Sequence, residues 1–235
     1  MKAKVFYDRV DSTMAELTRL VENSGPNDSF CVRAGVQTAG RGRDANLWHS
    51  PPGGLWLSFV LHYPMRIPSF ALYAGACLHA LLQRLFGLPG LRIKWPNDIY
   101  LDDKKLAGIL CEHKEQLSRY LIGIGVNTNV ARDTSLAQYA AAILSDHLGF
   151  PVSNTLLADL LVQEIERNSG QLKDPASHIA YVNRWLYGKG RLAQVLAAGE
   201  TVTGRVAEVA SDGSLLLLDA EGKARGIYTG NLQLL

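Results

Sequence analysis

The stretch Gln37-Thr-Ala-Gly-Arg-Gly-Arg43 lies between two strand-like apolar runs, Phe30 to Val36 and Leu55 to Leu61. Glycine lets the backbone approach a ligand closely, so that its N–H groups can point at an anion. Each arginine adds a forked, permanently charged donor that matches a carboxylate or a phosphate. The stretch therefore predicts a loop that binds an acidic ligand, although a solvated basic turn would have the same composition.

Length and composition indicate an ordinary globular chain. It has 235 residues, of which 47% are hydrophobic and 20% are charged. That is enough for one large domain, or for one large and one small domain. Its 24 basic and 22 acidic residues give a net charge of +2, so the composition does not favour a nucleic-acid partner. The two arginines of the loop therefore indicate a local binding site and not part of an extended basic surface.

The three cysteines, Cys31, Cys77 and Cys111, are far apart in the sequence. They have no metal-ligand spacing, and their odd number argues against a disulfide framework. Free thiols in a reducing compartment are the expected state. The segment Met1 to Tyr7 has no apolar core of a secretory signal, and no apolar run approaches the length of a membrane span. We therefore expect a cytoplasmic protein with no membrane partner.

The hydrophobic pattern predicts alternating strands and helices. A strand from Lys4 to Val10 precedes Asp11-Ser-Thr13, whose hydroxyls can cap a helix to about Glu22 or face a pocket. A leucine stripe predicts a core helix from Pro68 to Phe86, and Lys105 to Val126 reads as a hairpin. Further helices are predicted at Leu136 to Leu148, Asn154 to Asn168 and Ser177 to Leu186.

The pattern changes from Gly190 onward, where short valine-containing segments alternate with tight turns. Roughly five short strands predict a small antiparallel barrel of about 45 residues. We therefore predict two domains, a larger domain at residues 1–188 and a barrel at residues 189–235. The predicted fold class is α+β, with a mixed sheet backed by helices on one face and the ligand-binding loops on the other.

Three further side chains could act together with the loop. Lys105 begins an apolar run that includes Gly108, so its ammonium could bind a phosphate or could simply extend into solvent. Asp98 ends a Pro-Asn-Asp corner and could ligate Mg²⁺ together with substrate phosphates, or could close a turn. Trp48 could stack on a flat ligand ring or pack in the core.

Four motifs, in order along the chain, resemble those of biotin protein ligases. They are Gly40-Arg-Gly-Arg43 with Trp48, Lys94-Trp-Pro-Asn-Asp98, Lys105-Leu-Ala-Gly-Ile-Leu110 and Gly123-Ile-Gly-Val-Asn127. Four motifs in the same order are far more specific than any one of them. The resemblance extends over essentially the whole chain, including a C-terminal barrel that is SH3-like in that family. Since no helix-turn-helix segment precedes Lys4, we expect the short form of the family, without the DNA-binding domain.

The resemblance implies that residues 1–188 form a catalytic domain that binds biotin and ATP, and it also implies a two-step reaction and a set of site residues. Biotin and Mg-ATP would give biotinyl-5′-AMP and pyrophosphate, and a lysine of a biotin carboxyl carrier protein would then accept the biotinyl group. The implied biotin site comprises Ser12, Thr13, Gln37, Gly40, Arg41, Gly42, Arg43, Lys105 and Gly108, of which Arg41, Arg43 and Lys105 would be catalytic. The implied nucleotide site comprises Trp48, Asn97 and Asn127, and the implied magnesium ligand is Asp98.

The loop departs from the family pattern after Arg43. The family usually has one variable residue followed by Gly-Arg, whereas this chain has Asp44, Ala45 and Asn46. The missing arginine removes one donor to the ligand, and Asp44 would repel phosphate. We therefore expect a loop that is less ordered over the adenylate and releases it faster.

Three alternative functions agree less well with the motifs than a biotin protein ligase does. A lipoate or octanoate ligase or transferase shares the fold, but the corner at Lys94 to Asp98 favours biotin. A catalytically weak biotin-binding module would keep Ser12, Thr13 and Gln37 without turning over ATP, and the presence of Lys105 argues against it. A DNA-binding repressor is disfavoured by the balanced charge. Homodimers formed through sheet edges are common in the family, and nothing in this sequence establishes one.

Overall fold

The computed structural model describes residues 2–25, 27–131, 141–197 and 199–235. The described strands are β1 (Ala3–Val10), β2 (Phe30–Gln37), β3 (Leu55–His62), β4 (Leu91–Lys94), β5 (Asp98–Leu101), β6 (Lys104–Lys114), β7 (Arg119–Val126), β8 (Leu192–Ala197), β9 (Glu200–Val209), β10 (Leu215–Leu218), β11 (Ala224–Ile227) and β12 (Asn231–Leu234). The described α-helices are α1 (Thr13–Glu22), α2 (Phe70–Phe86), α3 (Leu144–Leu148), α4 (Asn154–Asn168) and α5 (Ala176–Arg184).

The chain divides into two compact units. The first comprises Met1–Arg66 and Asp103–Glu166, and the second comprises Ile67–Asp102 and Arg167–Leu235. In the first unit, five strands form a mixed sheet in the order β1-β2-β3-β7-β6. The β1 and β2 strands run parallel, while the other neighbours are antiparallel. A parallel pair needs a crossover connection, and α1 supplies it.

Helix α1 packs its apolar stripe on one face of this sheet. The buried cluster beneath it consists of Met14, Leu17, Val21, Val32, Val60 and Leu121. The helix begins where Ser12, in an extended conformation, turns its side chain toward the backbone N–H of Ala15. A Cβ atom at Gly123 of β7 would lie 2.8 Å from Met14 Cγ. Gly123 therefore lets α1 approach the sheet closely.

Helix α4 covers the opposite face of the same sheet. Arg33 follows Val32 along β2 and so points away from α1, and its Nη1 donates to Thr155 Oγ1 of α4 at 3.0 Å. Lys4 of β1 likewise pairs with Asp159 of α4 at 2.8 Å. The prediction that helices occupy only one face was wrong, because an apolar stripe identifies a buried helix without saying which face of a sheet it covers.

The second unit contains α2, α5, the hairpin of β4 and β5, and a separate antiparallel sheet in the order β11-β10-β9-β8-β12. The five short strands predicted for the C-terminal part are present. In the described residues β11 and β12 end the strand order, so this sheet is open rather than closed on itself. The mixed sheet backed by helices and the small β-rich C-terminal part confirm the predicted fold class.

Two predictions are left open by the structure. The helix predicted at Leu136 to Leu148 falls partly on residues 132–140, which lie outside the described residues, and α3 coincides with its end. The division into a catalytic domain and a barrel domain at residue 188 also stays a prediction. Among the described helices, none combines the length and the apolar character needed to cross a bilayer.

Candidate active site

Thr13 and Gln37 form a hydrogen-bonded pair where α1 begins and β2 ends. Gln37 Oε1 accepts from Thr13 N at 2.7 Å and from Thr13 Oγ1 at 3.0 Å. Thr13 Oγ1 also lies 2.7 Å from Ser58 Oγ of β3, which is fully buried. Ser12 and Thr13 are themselves buried. Thr13 and Gln37, two of the residues predicted to bind biotin, are therefore held in place by each other at the end of a parallel strand pair.

The other end of the Gln37 amide faces Ser50. Gln37 Nε2 donates to Ser50 Oγ at 2.7 Å, and Ser50 Oγ donates to the carbonyl oxygen of Trp48 at 3.1 Å. The backbone of Trp48 returns to Gly40, whose carbonyl accepts from Trp48 N at 2.9 Å. These bonds connect the start and the end of the glycine–arginine loop, which we define as residues 40–48.

The tip of the glycine–arginine loop is held by local hydrogen bonds. Gly42 N donates to Asn46 O at 2.7 Å, and Asn46 Nδ2 donates to Arg43 O at 2.8 Å. Asp44 adopts a left-handed conformation, with φ of 55°, which aspartate tolerates better than most residues. Its Oδ2 accepts from Arg43 Nε at 3.1 Å. Asp44 therefore provides Arg43 with an anionic contact inside the loop, while Arg41 is exposed.

The Trp48 indole lies against two glycines of the sheet. A Cβ atom at Gly125 would lie 2.3 Å from its Nε1, and one at Gly108 would lie 2.9 Å from its Cζ3. Since Gly123 faces α1 and Gly125 is two residues further along β7, the indole shares a sheet face with α1. Trp48 Nε1 is buried, and no side chain or backbone group in the described part of the chain accepts its proton.

Lys105 lies beside this indole, near the start of β6. Its Nζ is 5.1 Å from the centroid of the Trp48 ring, within the range of a cation–π contact. The backbone of Lys105 is fixed by Asn127, whose Nδ2 donates to the Lys105 carbonyl at 3.3 Å. Asn127 is buried. The structure thus gives Asn127 a contact that orders the catalytic candidate Lys105, in addition to its predicted place in a nucleotide site.

The Lys94-Trp-Pro-Asn-Asp98 corner joins β4 to β5 in the second unit. The Trp95–Pro96 peptide bond is cis, and Trp95 Nε1 donates to Gly213 O at 3.0 Å. Lys94 Nζ donates to Tyr100 Oη at 2.9 Å. Asp98 pairs with Lys94 in the strand register. The corner is therefore a well-packed hairpin turn that carries Asn97 and Asp98.

The structure places most predicted site residues in one unit. The first unit contains Ser12, Thr13, Gln37, Gly40, Arg41, Gly42, Arg43, Trp48, Lys105, Gly108 and Asn127, whereas Asn97 and Asp98 belong to the second. Direct contacts join Thr13 to Gln37, and join Trp48 to both Gly108 and Lys105. Ser50 and Ser58 could not be identified from the sequence, because both act by contacts between segments that are distant in the chain and leave no periodic signal.

The donor set has a clear implication for a metal. No cluster of three or more His, Cys, Asp or Glu side chains that could hold an ion occurs in the described ranges. Magnesium often uses one or two protein carboxylates and takes its remaining ligands from water and nucleotide phosphates. A lone carboxylate such as Asp98 fits an ion that arrives with a nucleotide, and does not fit a permanently bound structural ion.

Comparison with known proteins identifies related sequences. Residues 6–129 match the model of the Biotin/lipoate A/B protein ligase family. The chain is 31% identical over 224 residues to the biotin--[acetyl-CoA-carboxylase] ligase of Paracoccus denitrificans, with 91% of this chain and 90% of that protein covered. It is 36% identical over 138 residues to the bifunctional ligase/repressor BirA of Bacillus spizizenii, covering 55% of this chain. The match spans only 41% of that relative.

The fold also resembles a solved structure. The biotin protein ligase from Aquifex aeolicus, in complex with biotin and ATP, superposes with a TM-score of 0.86 at 26% sequence identity. The superposition covers 100% of this chain and 99% of that one. The likeness therefore extends over both units of the chain.

Proposed function

Because this chain belongs to the biotin/lipoate A/B protein ligase family, we propose that it is an ATP-dependent biotin protein ligase. The observation that carries the proposal is that Trp48 connects the candidate groups. Its backbone carbonyl is linked through Ser50 to the Thr13–Gln37 pair, and its indole lies beside Lys105. The relative in Paracoccus is named as a biotin ligase, and the relative from Aquifex was solved with biotin and ATP bound. Both support biotin and ATP as the substrates.

The first step would join biotin to the nucleotide. A carboxylate oxygen of biotin attacks the α-phosphorus of ATP, the bond from that phosphorus to the bridging oxygen breaks, and pyrophosphate leaves. Two anions must come together, so fixed cations lower the barrier. Arg41, Arg43 and Lys105 supply three such cations. Arg41 is exposed, and Arg43 would exchange its contact with Asp44 for the ligand.

The remaining parts of the ligand would be held by polar groups and close backbone approach. Ser12, Thr13 and Gln37 would hydrogen-bond the ureido ring, where rigid donors and acceptors select the ligand. Gly40, Gly42 and Gly108 would let the backbone approach it. Trp48, Asn97 and Asn127 would contact the nucleotide. Asp98 would hold Mg²⁺, which neutralises phosphate charge when it is bound.

The second step would transfer the biotinyl group to a protein. The ε-ammonium group of an acceptor lysine loses a proton, and the resulting amine attacks the acyl carbon of biotinyl-5′-AMP, loses a second proton and displaces AMP. This route needs no covalent intermediate with the enzyme. The proposed partner is a biotin carboxyl carrier protein or the carrier domain of a biotin-dependent carboxylase. A nucleic-acid or membrane partner is not part of the proposal, and homodimerisation stays a prediction.

The test is ATP–pyrophosphate exchange with biotin, lipoate and octanoate offered separately. Exchange with biotin alone is expected, and Lys105→Ala should lower its rate at least about 100-fold, the cost of losing one donor at the reacting centre. Lys104→Ala is the matched control, because Lys104 is an exposed lysine on the same strand. Its exchange rate should stay close to that of the wild type.

Each other outcome would overturn a definite part of the proposal. Exchange with lipoate or octanoate in place of biotin would assign the chain to the other branch of its family. Biotin binding without any exchange would make the chain a binding module. Equal losses in Lys104→Ala and Lys105→Ala would remove the catalytic role of Lys105. If exchange with biotin is found, a carrier domain supplied as acceptor tests the second step.

A further inference from the structure

Ser50 lies at the centre of a chain of hydrogen bonds that the proposed reaction does not use directly. Its Oγ accepts from Gln37 Nε2 at 2.7 Å and donates to the carbonyl of Trp48 at 3.1 Å. Its backbone carbonyl accepts from Gln37 N at 3.1 Å. The residue is only 4% exposed, so water does not readily replace these contacts. Ser50 therefore bonds a ligand-recognition residue on one side and the glycine–arginine loop on the other.

The direction of these hydrogen bonds is fixed by chemistry. Gln37 Oε1 accepts from two groups of Thr13, and a rotated amide would point its NH₂ group at the backbone N–H of Thr13. The amide nitrogen must therefore face Ser50. A serine hydroxyl has a single proton to donate, and that proton goes to the Trp48 carbonyl. The bonds run one way, from Gln37 through Ser50 to Trp48, and polarise one another.

The backbone packs tightly around this chain of bonds. A Cβ atom at Gly40 would lie 2.4 Å from Trp48 O, 2.8 Å from Ser50 Oγ and 3.0 Å from Gln37 Nε2. Gly40, the first residue of the loop, is therefore in contact with Gln37, Ser50 and Trp48. A shift of Gln37 or of Trp48 changes the space available to the backbone at Gly40. Gln37 and Trp48 are therefore linked sterically as well as by hydrogen bonds.

We propose that Ser50 is a positioning residue that couples ligand recognition at Gln37 to closure of the glycine–arginine loop. The proposal rests on the function proposed above, since it assigns Gln37 to biotin and the loop to the adenylate. Loss of the hydroxyl leaves Gln37 Nε2 and Trp48 O without their buried partner. Affinity for biotin and retention of biotinyl-5′-AMP then fall together, although Ser50 touches neither reacting group.

Ser58 provides a matched control. It is also a buried serine, 0% exposed, and its Oγ lies 2.7 Å from Thr13 Oγ1. It therefore supports the same recognition pair from the opposite side. In the part of the chain that the structure describes, its hydroxyl bonds Thr13 and not Trp48. Ser58→Ala should weaken biotin binding while leaving the loop closed, whereas Ser50→Ala should affect both.

The experiment compares three quantities in the full chain. Ser50→Ala should raise the Kd for biotin and the dissociation rate of biotinyl-5′-AMP, each roughly tenfold, as expected for one buried hydrogen bond. It should also speed trypsin cleavage after Arg41 and Arg43 in the ligand-free chain by a similar factor. Ser58→Ala should raise only the Kd. The double variant, Gln37→Ala with Ser50→Ala, should lose no more biotin affinity than Gln37→Ala alone.

The outcomes separate this proposal from the one it rests on. Equal rates of loop cleavage in Ser50→Ala and Ser58→Ala would overturn the coupling. Additive losses of biotin affinity in the double variant would overturn it as well. If Ser50→Ala does not fold, Gln37→Ala replaces it in the trypsin comparison, because it removes the same hydrogen bond from the other end and should also open the loop. A wild-type chain that exchanges pyrophosphate with no acid would overturn the proposed function, while the trypsin comparison would still decide the role of Ser50.

Discussion

The glycine–arginine loop and the Lys94–Asp98 corner both carry basic side chains within predicted binding motifs, yet the two segments place these charges in different surroundings. Arg41 is exposed at the loop. Lys94 is only 8% exposed, and its ammonium lies 4.5 Å from the Tyr100 ring centroid while donating to the Tyr100 hydroxyl. The loop thus offers its charge to solvent and ligand, whereas the corner uses its charge within its own hairpin.

The electrostatics of the corner strengthen this contrast. Burial raises the pKa of Tyr100 well above its ordinary value, and the charge of Asp98 and the nearby Tyr187 raise it further. The hydroxyl therefore stays neutral and keeps an oxygen lone pair for the Lys94 ammonium. A basic residue in a motif is therefore available to a ligand only if its charge is not already paired with a buried partner.

The largest expected effect comes from breaking the corner itself. Trp95 is 1% exposed and hydrogen-bonds Gly213, so Trp95→Ala should lower the free energy of unfolding by about 3–5 kcal/mol. Leu47→Ala, at a loop position that is 73% exposed, should change it by no more than about 0.5 kcal/mol. Urea unfolding measures both. Similar losses in the two variants would remove the distinction between a structural corner and an accessible loop.

Two buried histidines make the second unit sensitive to acid. Burial lowers the pKa of His79 and of His178 to about 4, whereas an unfolded histidine titrates near 6.5. Each is therefore neutral when folded, and its stability contribution is present above pH 6.5 and is lost as pH falls toward 4. Between pH 7.5 and 5 each histidine should cost about 2 kcal/mol of unfolding free energy.

Glutamine substitutions test this acid sensitivity. His79 Nδ1 lies 2.9 Å from Tyr181 Oη, and His178 Nε2 lies 2.9 Å from Ser69 Oγ, contacts that an uncharged amide can partly replace. His79→Gln and His178→Gln should each flatten the fall of unfolding free energy with pH, and the double variant should flatten it further. Urea unfolding at pH 7.5 and pH 5 provides the measurement. An unchanged slope in the double variant would contradict the assignment.

The smallest effect concerns the missing arginine of the loop. Asn46→Arg adds a cation at the tip, and should slow the dissociation of biotinyl-5′-AMP about fivefold, as one exposed charge-assisted contact would. The gain is limited because Asn46 Nδ2 now donates to Arg43 O. Leu47→Arg is the matched control, since it adds the same charge one residue away. Equal retention in both variants would show a general charge effect and no specific contact.

Local sequence signals predicted the elements well. The cap at Ser12, the leucine stripe of α2 and the hairpin of β6 and β7 each depend on residues close together in the chain, so their patterns are visible in the sequence. Helix Asn154–Asn168 agrees with the prediction residue for residue. The side of the sheet that α4 covers was not visible, because it depends on contacts such as Arg33 with Thr155 between distant elements.

The sequence predicted which residues form the site, but not which of their side chains contact one another. The order of the four motifs identified Lys105 and the two arginines as candidates. Nothing in the sequence placed the Trp48 indole against Gly108 and Gly125, because the three positions lie on separate elements. Ser50 was overlooked for the same reason, since its partner Gln37 is thirteen positions away across a bridge between extended segments.

The contact of Trp48 with two glycines limits how this sequence can diverge. Any side chain at Gly125 would bring a Cβ atom within 2.3 Å of the indole, and any side chain at Gly108 would bring one within 2.9 Å. An alanine at either position therefore displaces the tryptophan, whereas a smaller residue at position 48 leaves both glycines undisturbed. The three positions are thus not independent, because a side chain at Gly108 or Gly125 can be accommodated once position 48 carries a smaller residue.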